Sequence, residues 1–162
     1  MMKKIKRVVF MSTNHTDEQN AFEQFLIIMD DQLESLEEDA KKFGISLDLS
    51  VSSINKLELL FELMAENADK DTVDSLVVYF GRYLGEIVIH NYGGQWELPL
   101  DDPNNVNYNT PVITGHSQKG LEFAPLSVIR SFSLRRVENT LQRAIDADMK
   151  IRPLDLSNLI EE

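Results

Sequence analysis

The chain contains no cysteine. That excludes disulfides and thiolate nucleophiles, and it fits a reducing compartment. It also lacks any apolar run long enough to cross a bilayer as a helix, which needs about 20 residues. The amino-terminal stretch MMKKIKRVVFM has the charged start of an export signal, but its apolar run is confined to Val8–Met11, too short for that purpose. A cytoplasmic location is expected. Positive charge is scarce: 16 Lys and Arg stand against 27 Asp and Glu, leaving a formal charge of −11. A field of that sign repels nucleic acid and anionic membranes, and favours a basic partner or simple solubility. Only 7 glycines, 5 prolines and a single tryptophan are spread over 162 residues, so each one carries positional information.

The length predicts one domain spanning residues 1–162, with 1–15 and 154–162 able to remain loosely attached. Its most apolar stretch is VDSLVVYFGRYLGEIVIHNYGGQW, Val73–Trp96. Val73, Leu76, Val77, Phe80, Leu84, Ile87 and Val88 recur every three to four residues, the spacing of a helix, while Val78, Tyr83 and Ile89 occupy its other faces. A helix apolar nearly all round is a buried one. Asp71 or Thr72 is expected to cap it. Gly81 and Gly85 stack on one face four residues apart. Each costs about 1 kcal/mol against alanine, so the spacing points to close packing there, or to room for a ligand. Arg82 and Glu86, also four apart, suggest a buried ion pair. The same text permits a hairpin through EIVIHN, YGG and QWELPL. The helical reading carries the chain to about His90, stops it at Gly93, and begins a strand at Gln95–Leu98. Pro111–Thr114 is a second strand able to pair with it.

Upstream, Phe22, Leu26, Met29, Leu33, Leu36, Ala40 and Phe43 form a heptad-like seam, predicting one long helix over about Thr16–Phe43. Its outer side is acidic: Asp17, Glu18, Glu23, Asp30, Asp31, Glu34, Glu37, Glu38 and Asp39, with no Lys or Arg among them. One-signed charge destabilises a helix through like pairs at i,i+4, and it gives a basic partner faster encounter. Asp30, Asp31, Glu34, Glu37 and Glu38 are therefore the candidate partner-binding residues. Ile45, Leu47 and Leu49 alternate with polar residues as in a short strand. Ser52 or Ser53 then caps a helix running to about Glu66 with Leu57, Leu60, Phe61 and Met64 inside. Beyond a polar loop, helices are expected over Ala124–Phe132 and Leu134–Met149, broken near Ser133, with Leu134, Val137, Leu141 and Ile145 on the inner stripe of the second. Leu156, Leu159 and Ile160 can dock the tail. The fold class is α+β, mostly helical, with a small antiparallel sheet of two or three strands.

No catalytic or cofactor motif is present. Glu86 and His90 share a helical face, but a metal site would need His116 to fold back to them. GHSQKG, Gly115–Gly120, has the frame of a phosphate loop and is followed by Leu121 and Glu122 instead of Lys and Ser/Thr. Asp101, Asp102, Asn104 and Asn107 lack the spacing and closing glutamate of a calcium loop. No metal, cofactor or catalytic residue is assigned.

The segment GRYLGEIVIHNYGGQW, Gly81–Trp96, together with LDLSVSSINKLELLF, Leu47–Phe61, resembles small uncharacterised bacterial proteins with a serine-capped helix, a Tyr-Leu-Gly-Glu helix and a Gly-Gly-x-Trp turn. The likeness covers about residues 47–132 and rests on Gly81, Arg82, Tyr83, Gly85, Glu86, Gly93, Gly94 and Trp96. Some such proteins look like immunity proteins encoded beside secreted toxins. The resemblance thus implies a non-enzymatic binding protein that neutralises a toxin, and the acidic surface adds the expectation that the toxin domain is basic. Two readings stand beside it: a small-molecule or metal-binding enzyme with its site near Gly81–Glu86, and a homodimeric structural or regulatory protein.

Overall fold

The computed structural model describes residues 16–117 and 120–150. The elements run α1 (Asp17–Ile27), α2 (Met29–Lys41), α3 (Ser53–Ala65), α4 (Lys70–Tyr92), β1 (Gln95–Glu97), β2 (Val112–Thr114), α5 (Pro125–Arg135) and α6 (Thr140–Lys150). This is an α+β arrangement, mostly helical, with a two-stranded antiparallel sheet. The expected tail contacts of Leu156, Leu159 and Ile160 and the attachment of residues 1–15 lie outside the described residues.

α4 is the axis of the fold. Residues 81–88 are all buried, as an all-round apolar helix must be, and α2, α3 and α5 pack on it. It begins earlier than the sequence suggested. Asp69, not Asp71 or Thr72, is the N-cap, and it accepts the Thr72 N–H at 2.8 Å. It ends at Gly93, whose φ of 85° breaks the helix while its N–H still reaches the Ile89 carbonyl at 2.9 Å. The helical reading of EIVIHN therefore holds over the hairpin. β1 and β2 pair in the register Trp96 with Ile113, and Phe123 adds a single bridge to Ile113.

The expected single helix over Thr16–Phe43 is two. Ile28 leaves helical geometry at φ −91°, ψ 6°, between α1 and α2. The break falls at Ile27–Ile28, adjacent β-branched residues that lose side-chain freedom in a helix. The axis is not lost, because Ile28 N–H still bonds to the Gln24 carbonyl and Gln32 N–H to the Ile28 carbonyl. Thr16 and Gln19 form a reciprocal capping box at the start of α1. Met29, Leu33, Leu36 and Ala40 are buried as the seam requires. Phe43 lies beyond the end of α2 and is 45% exposed. Ile45, Leu47 and Leu49 do alternate inward, but the segment is not a strand: the Ile45 N–H turns back to the Ala40 carbonyl at 2.9 Å and the Leu49 N–H goes to the Tyr83 hydroxyl.

The break between the last two helices lies at Arg136, in left-handed conformation, rather than near Ser133. Leu134 (74%) and Val137 (48%) are consequently exposed, while Leu141 and Ile145 are buried. A buried carboxylate organises this junction. Glu58 of α3 accepts the Asn139 and Leu141 backbone N–H groups, each at 2.9 Å. Its charge sits where the α6 dipole favours an anion. Glu58→Ala should leave both donors unsatisfied and cost about 1–3 kcal/mol. Urea unfolding measures this; an unchanged midpoint would show that water replaces the carboxylate freely.

Candidate functional site

The glycines of the Gly81–Trp96 segment act through space, not chemistry. A Cβ on Gly85 would stand 2.3 Å from Cζ2 of Trp96 and 3.1 Å from Cγ of Pro125. The indole thus lies directly on the α4 backbone. Its Nε1–H donates to Glu86 at 2.7 Å, and the ring meets the edge of Phe25 at 5.0 Å. On Gly81 a Cβ would come within 2.8 Å of the Leu126 side chain and 3.1 Å of its Cα, which lets α5 approach α4 closely. Gly94, at φ 102°, would place a Cβ 2.6 Å from the Thr114 carbonyl, so the start of β1 can lie against the end of β2 only with glycine there. Arg82 stacks over the Phe25 ring at 4.4 Å and donates through Nε to the Phe25 carbonyl at 3.4 Å. Burial lowers its pKa. The expected Arg82–Glu86 ion pair is not formed among the described residues. Each side chain instead reaches an aromatic neighbour that only the tertiary fold supplies.

A shallow groove of about 450 Å³ runs between Phe22 and Phe25 of α1 and Val78 and Leu126, with Leu98 and Pro111 also lining it. It is largely apolar, and Asp17 and Glu18 stand at its edge.

Tyr83 anchors a second cluster. Its ring is fully buried; the hydroxyl donates to Glu37 at 2.6 Å and accepts the Leu49 N–H at 3.1 Å. Asn91 donates to the Leu49 carbonyl at 2.9 Å. Leu49 has φ 65°, an uncommon conformation for a side-chain-bearing residue, and α4 holds both of its backbone polar groups. One turn before Tyr83, the Tyr79 hydroxyl donates to the Asp39 carboxylate at 2.8 Å and lies 2.7 Å from the Ser35 hydroxyl, which is free to donate to it.

These bonds revise the acidic face. Glu37 is half-buried and tied to Tyr83, so it belongs to the α2–α4 contact. Glu23 is buried. Lysines do reach this side: Lys41 pairs with Glu38 at 3.2 Å and Lys42 with Asp39 at 3.4 Å. Asp30 is half-buried, while Asp31, Glu34 and Glu38 are exposed. With Ile27, 51% exposed, these three fall at spacings of four, three and four, forming one outward ridge along α1 and α2.

His90 and His116 are not brought together. His90 is exposed on the last turn of α4, whereas His116 is buried, with Nε2 against the Asp148 carboxylate. Its Nδ1 has no hydrogen-bond partner among the described residues. Among those residues no group of three or more His, Asp or Glu side chains is arranged to hold a metal ion. No helix among the described residues is long and apolar enough to cross a membrane. Glu58, Asn91 and Asp148 were not singled out from sequence. Only the interruption of an apolar stripe by a carboxylate marks Glu58, and nothing local marks the other two. Comparison with known protein families, curated proteins and solved structures finds no match.

Proposed function

We propose that the chain is a non-enzymatic bacterial binding protein of the cytoplasm, an immunity-type protein that captures a basic toxin domain through its acidic surface. The observation that carries this reading is the ridge of Ile27, Asp31, Glu34 and Glu38. An exposed apolar side chain followed by exposed carboxylates on rigid helix offers a partner one anchor and a directional field. The interior polar groups point the same way. Glu37, Glu58 and Glu86 are each engaged in holding helices, caps or the indole in place, a scaffolding use of carboxylates.

Reversal of Glu34 and Glu38 to lysine tests the ridge without touching the Tyr83–Glu37 bond. The double variant should remain folded. It should associate more slowly than wild type with the basic protein that wild-type bait captures, and lose most of the salt dependence of that association. Stopped-flow association at two ionic strengths is the measurement. Equal rates and equal salt dependence would show that the ridge is only solvated. The second reading, a small-molecule site, draws on the groove between α1 and α4. The indole already fills the space at Gly85, so a ligand in the groove would lie against Phe22, Val78 and Leu126.

A further inference from the structure

We propose that the groove between α1 and α4 is the seat of the chain's own residues 8–11, so that the segment before α1 acts as an intramolecular cover. Phe22, Val78, Leu98, Pro111 and Leu126 line the groove beside the buried Phe25, and all five are only half-buried. They come from α1, α4, α5 and the two ends of the loop that joins the strands. Apolar side chains converging from so many elements leave a contiguous surface that gains from being covered.

The occupant follows from sequence, charge and length. Residues 3–11, KKIKRVVFM, place the cations Lys3, Lys4, Lys6 and Arg7 directly before four apolar residues. Such a segment is unusual in a chain of net charge −11. Acid lies at both ends of the groove: Asp17 and Glu18 edge it, and beyond Phe25 the first turn of α2 follows with Asp30 and Asp31. Four residues, 12–15, separate Met11 from the N-cap Thr16, the number that one reverse turn needs. After that reversal the segment runs back along α1, with Met11 near Asp17 and Arg7 toward Asp30 and Asp31. Cations then meet carboxylates while apolar residues meet the apolar wall. Asp17 to Phe25 is about 12 Å of helix at 1.5 Å per residue, and residues 8–11 in extended form reach about 13 Å. The groove is thus a conditional site, open to an apolar ligand only when residues 8–11 leave it.

Trypsin tests the seat, because it cuts after Lys6 and Arg7 only while the segment is undocked. In the native protein that cleavage should be slower by about tenfold or more than in Val8→Ser/Phe10→Ser, which lacks the apolar anchors. Leu98→Asn alters the groove and leaves the segment intact, and should speed cleavage in the same way. High salt should speed cleavage of wild type, since it screens the cations from their carboxylates. Position is read independently. The chain has no cysteine, so Val8→Cys with Leu98→Cys should oxidise to an intramolecular disulfide, and Val8→Cys with Asn55→Cys, on α3, should not. Wild-type cleavage as fast as that of Val8→Ser/Phe10→Ser would overturn the proposal, as would equal oxidation of the two cysteine pairs. Protection that grows with protein concentration, or a disulfide between two copies, would also overturn it and assign the groove to a second molecule. All these variants retain Glu34 and Glu38, so toxin capture and closure of the groove can fail separately.

Discussion

Gly85→Leu should be among the most destabilising single changes in this protein, with even Gly85→Ala strongly unfavourable. Removing a mid-helix glycine ordinarily gains about 1 kcal/mol of helix stability. Here the new Cβ would overlap the Trp96 ring, at 2.3 and 2.4 Å from two of its carbons. The ring cannot simply swing away. Glu86 holds its N–H, Phe25 packs against it edge-to-face with ring centroids 5.0 Å apart, and Pro125 crowds the same glycine. Overpacking of a filled core costs about 1–3 kcal/mol, sometimes more, and leucine adds further carbons to the same collision. Gly81→Ala should be milder. Its Cβ would meet Leu126 Cδ1 and Cγ at 2.8 Å and the Leu126 Cα at 3.1 Å, so the half-buried side chain must turn and the α5 backbone give by a few tenths of an ångström, offsetting the gain in helix propensity. Denaturant midpoints should therefore rank wild type first, then Gly81→Ala, then Gly85→Ala, with Gly85→Leu lowest. Trp96 is the only tryptophan, so its fluorescence reports the same event directly: the emission should move to longer wavelength in the Gly85 variants as the indole leaves its seat. A Gly85→Ala protein with wild-type midpoint and emission would show that the indole is not packed on the helix.

Tyr83→Phe is expected to have the second large effect, with a distinctive dependence on pH. The change removes one hydroxyl and leaves two groups without it: the Glu37 carboxylate and the Leu49 N–H. A lost bond to a charged group accounts for about 1.5–3 kcal/mol. Burial first, then the neighbouring Glu37 charge, pushes the Tyr83 pKa up. Burial and Asp39 push Tyr79 up to about 12. In the unfolded chain both phenols titrate near 10. Below that value both states keep their protons and the full contribution to stability is present. Above it the unfolded chain releases protons that the folded chain retains, so stability falls as pH rises through the folded values. Wild type should lose stability on going from pH 9 to pH 11, and Tyr83→Phe should lose less over the same interval while starting lower. Urea titrations at the two pH values decide it. Parallel losses in the two proteins would mean that Tyr83 ionises as readily folded as unfolded.

Local pattern carried a good deal of this structure. The all-round apolar spacing from Val73 to Val88 required a buried helix, and a chain entering positive φ at Gly93 had to stop it. Trp96 and Ile113 could then pair across the intervening loop. Glycines at 81 and 85 signalled close packing because a costly residue repeated on one helical face needs a neighbour. Apart from that strand pairing, each of these inferences uses residues within a few positions of one another, where helix and strand geometry fix the relation.

Tertiary structure decided the rest. Glu37 and Glu38 are adjacent and chemically alike, yet one is bonded to Tyr83, 46 residues away, and the other is exposed beside Lys41. Glu58 caps α6 across 81 and 83 residues, and His116 meets Asp148 across 32. No periodicity encodes such separations. Arg82 and Glu86 show the converse: helical spacing placed them within reach of each other, and packing gave Arg82 to Phe25 and Glu86 to Trp96. Spacing determines which side chains can share a face. Which of them then meet depends on how helices far apart in the chain are brought together, because a buried polar group takes whatever partner the packed neighbours present.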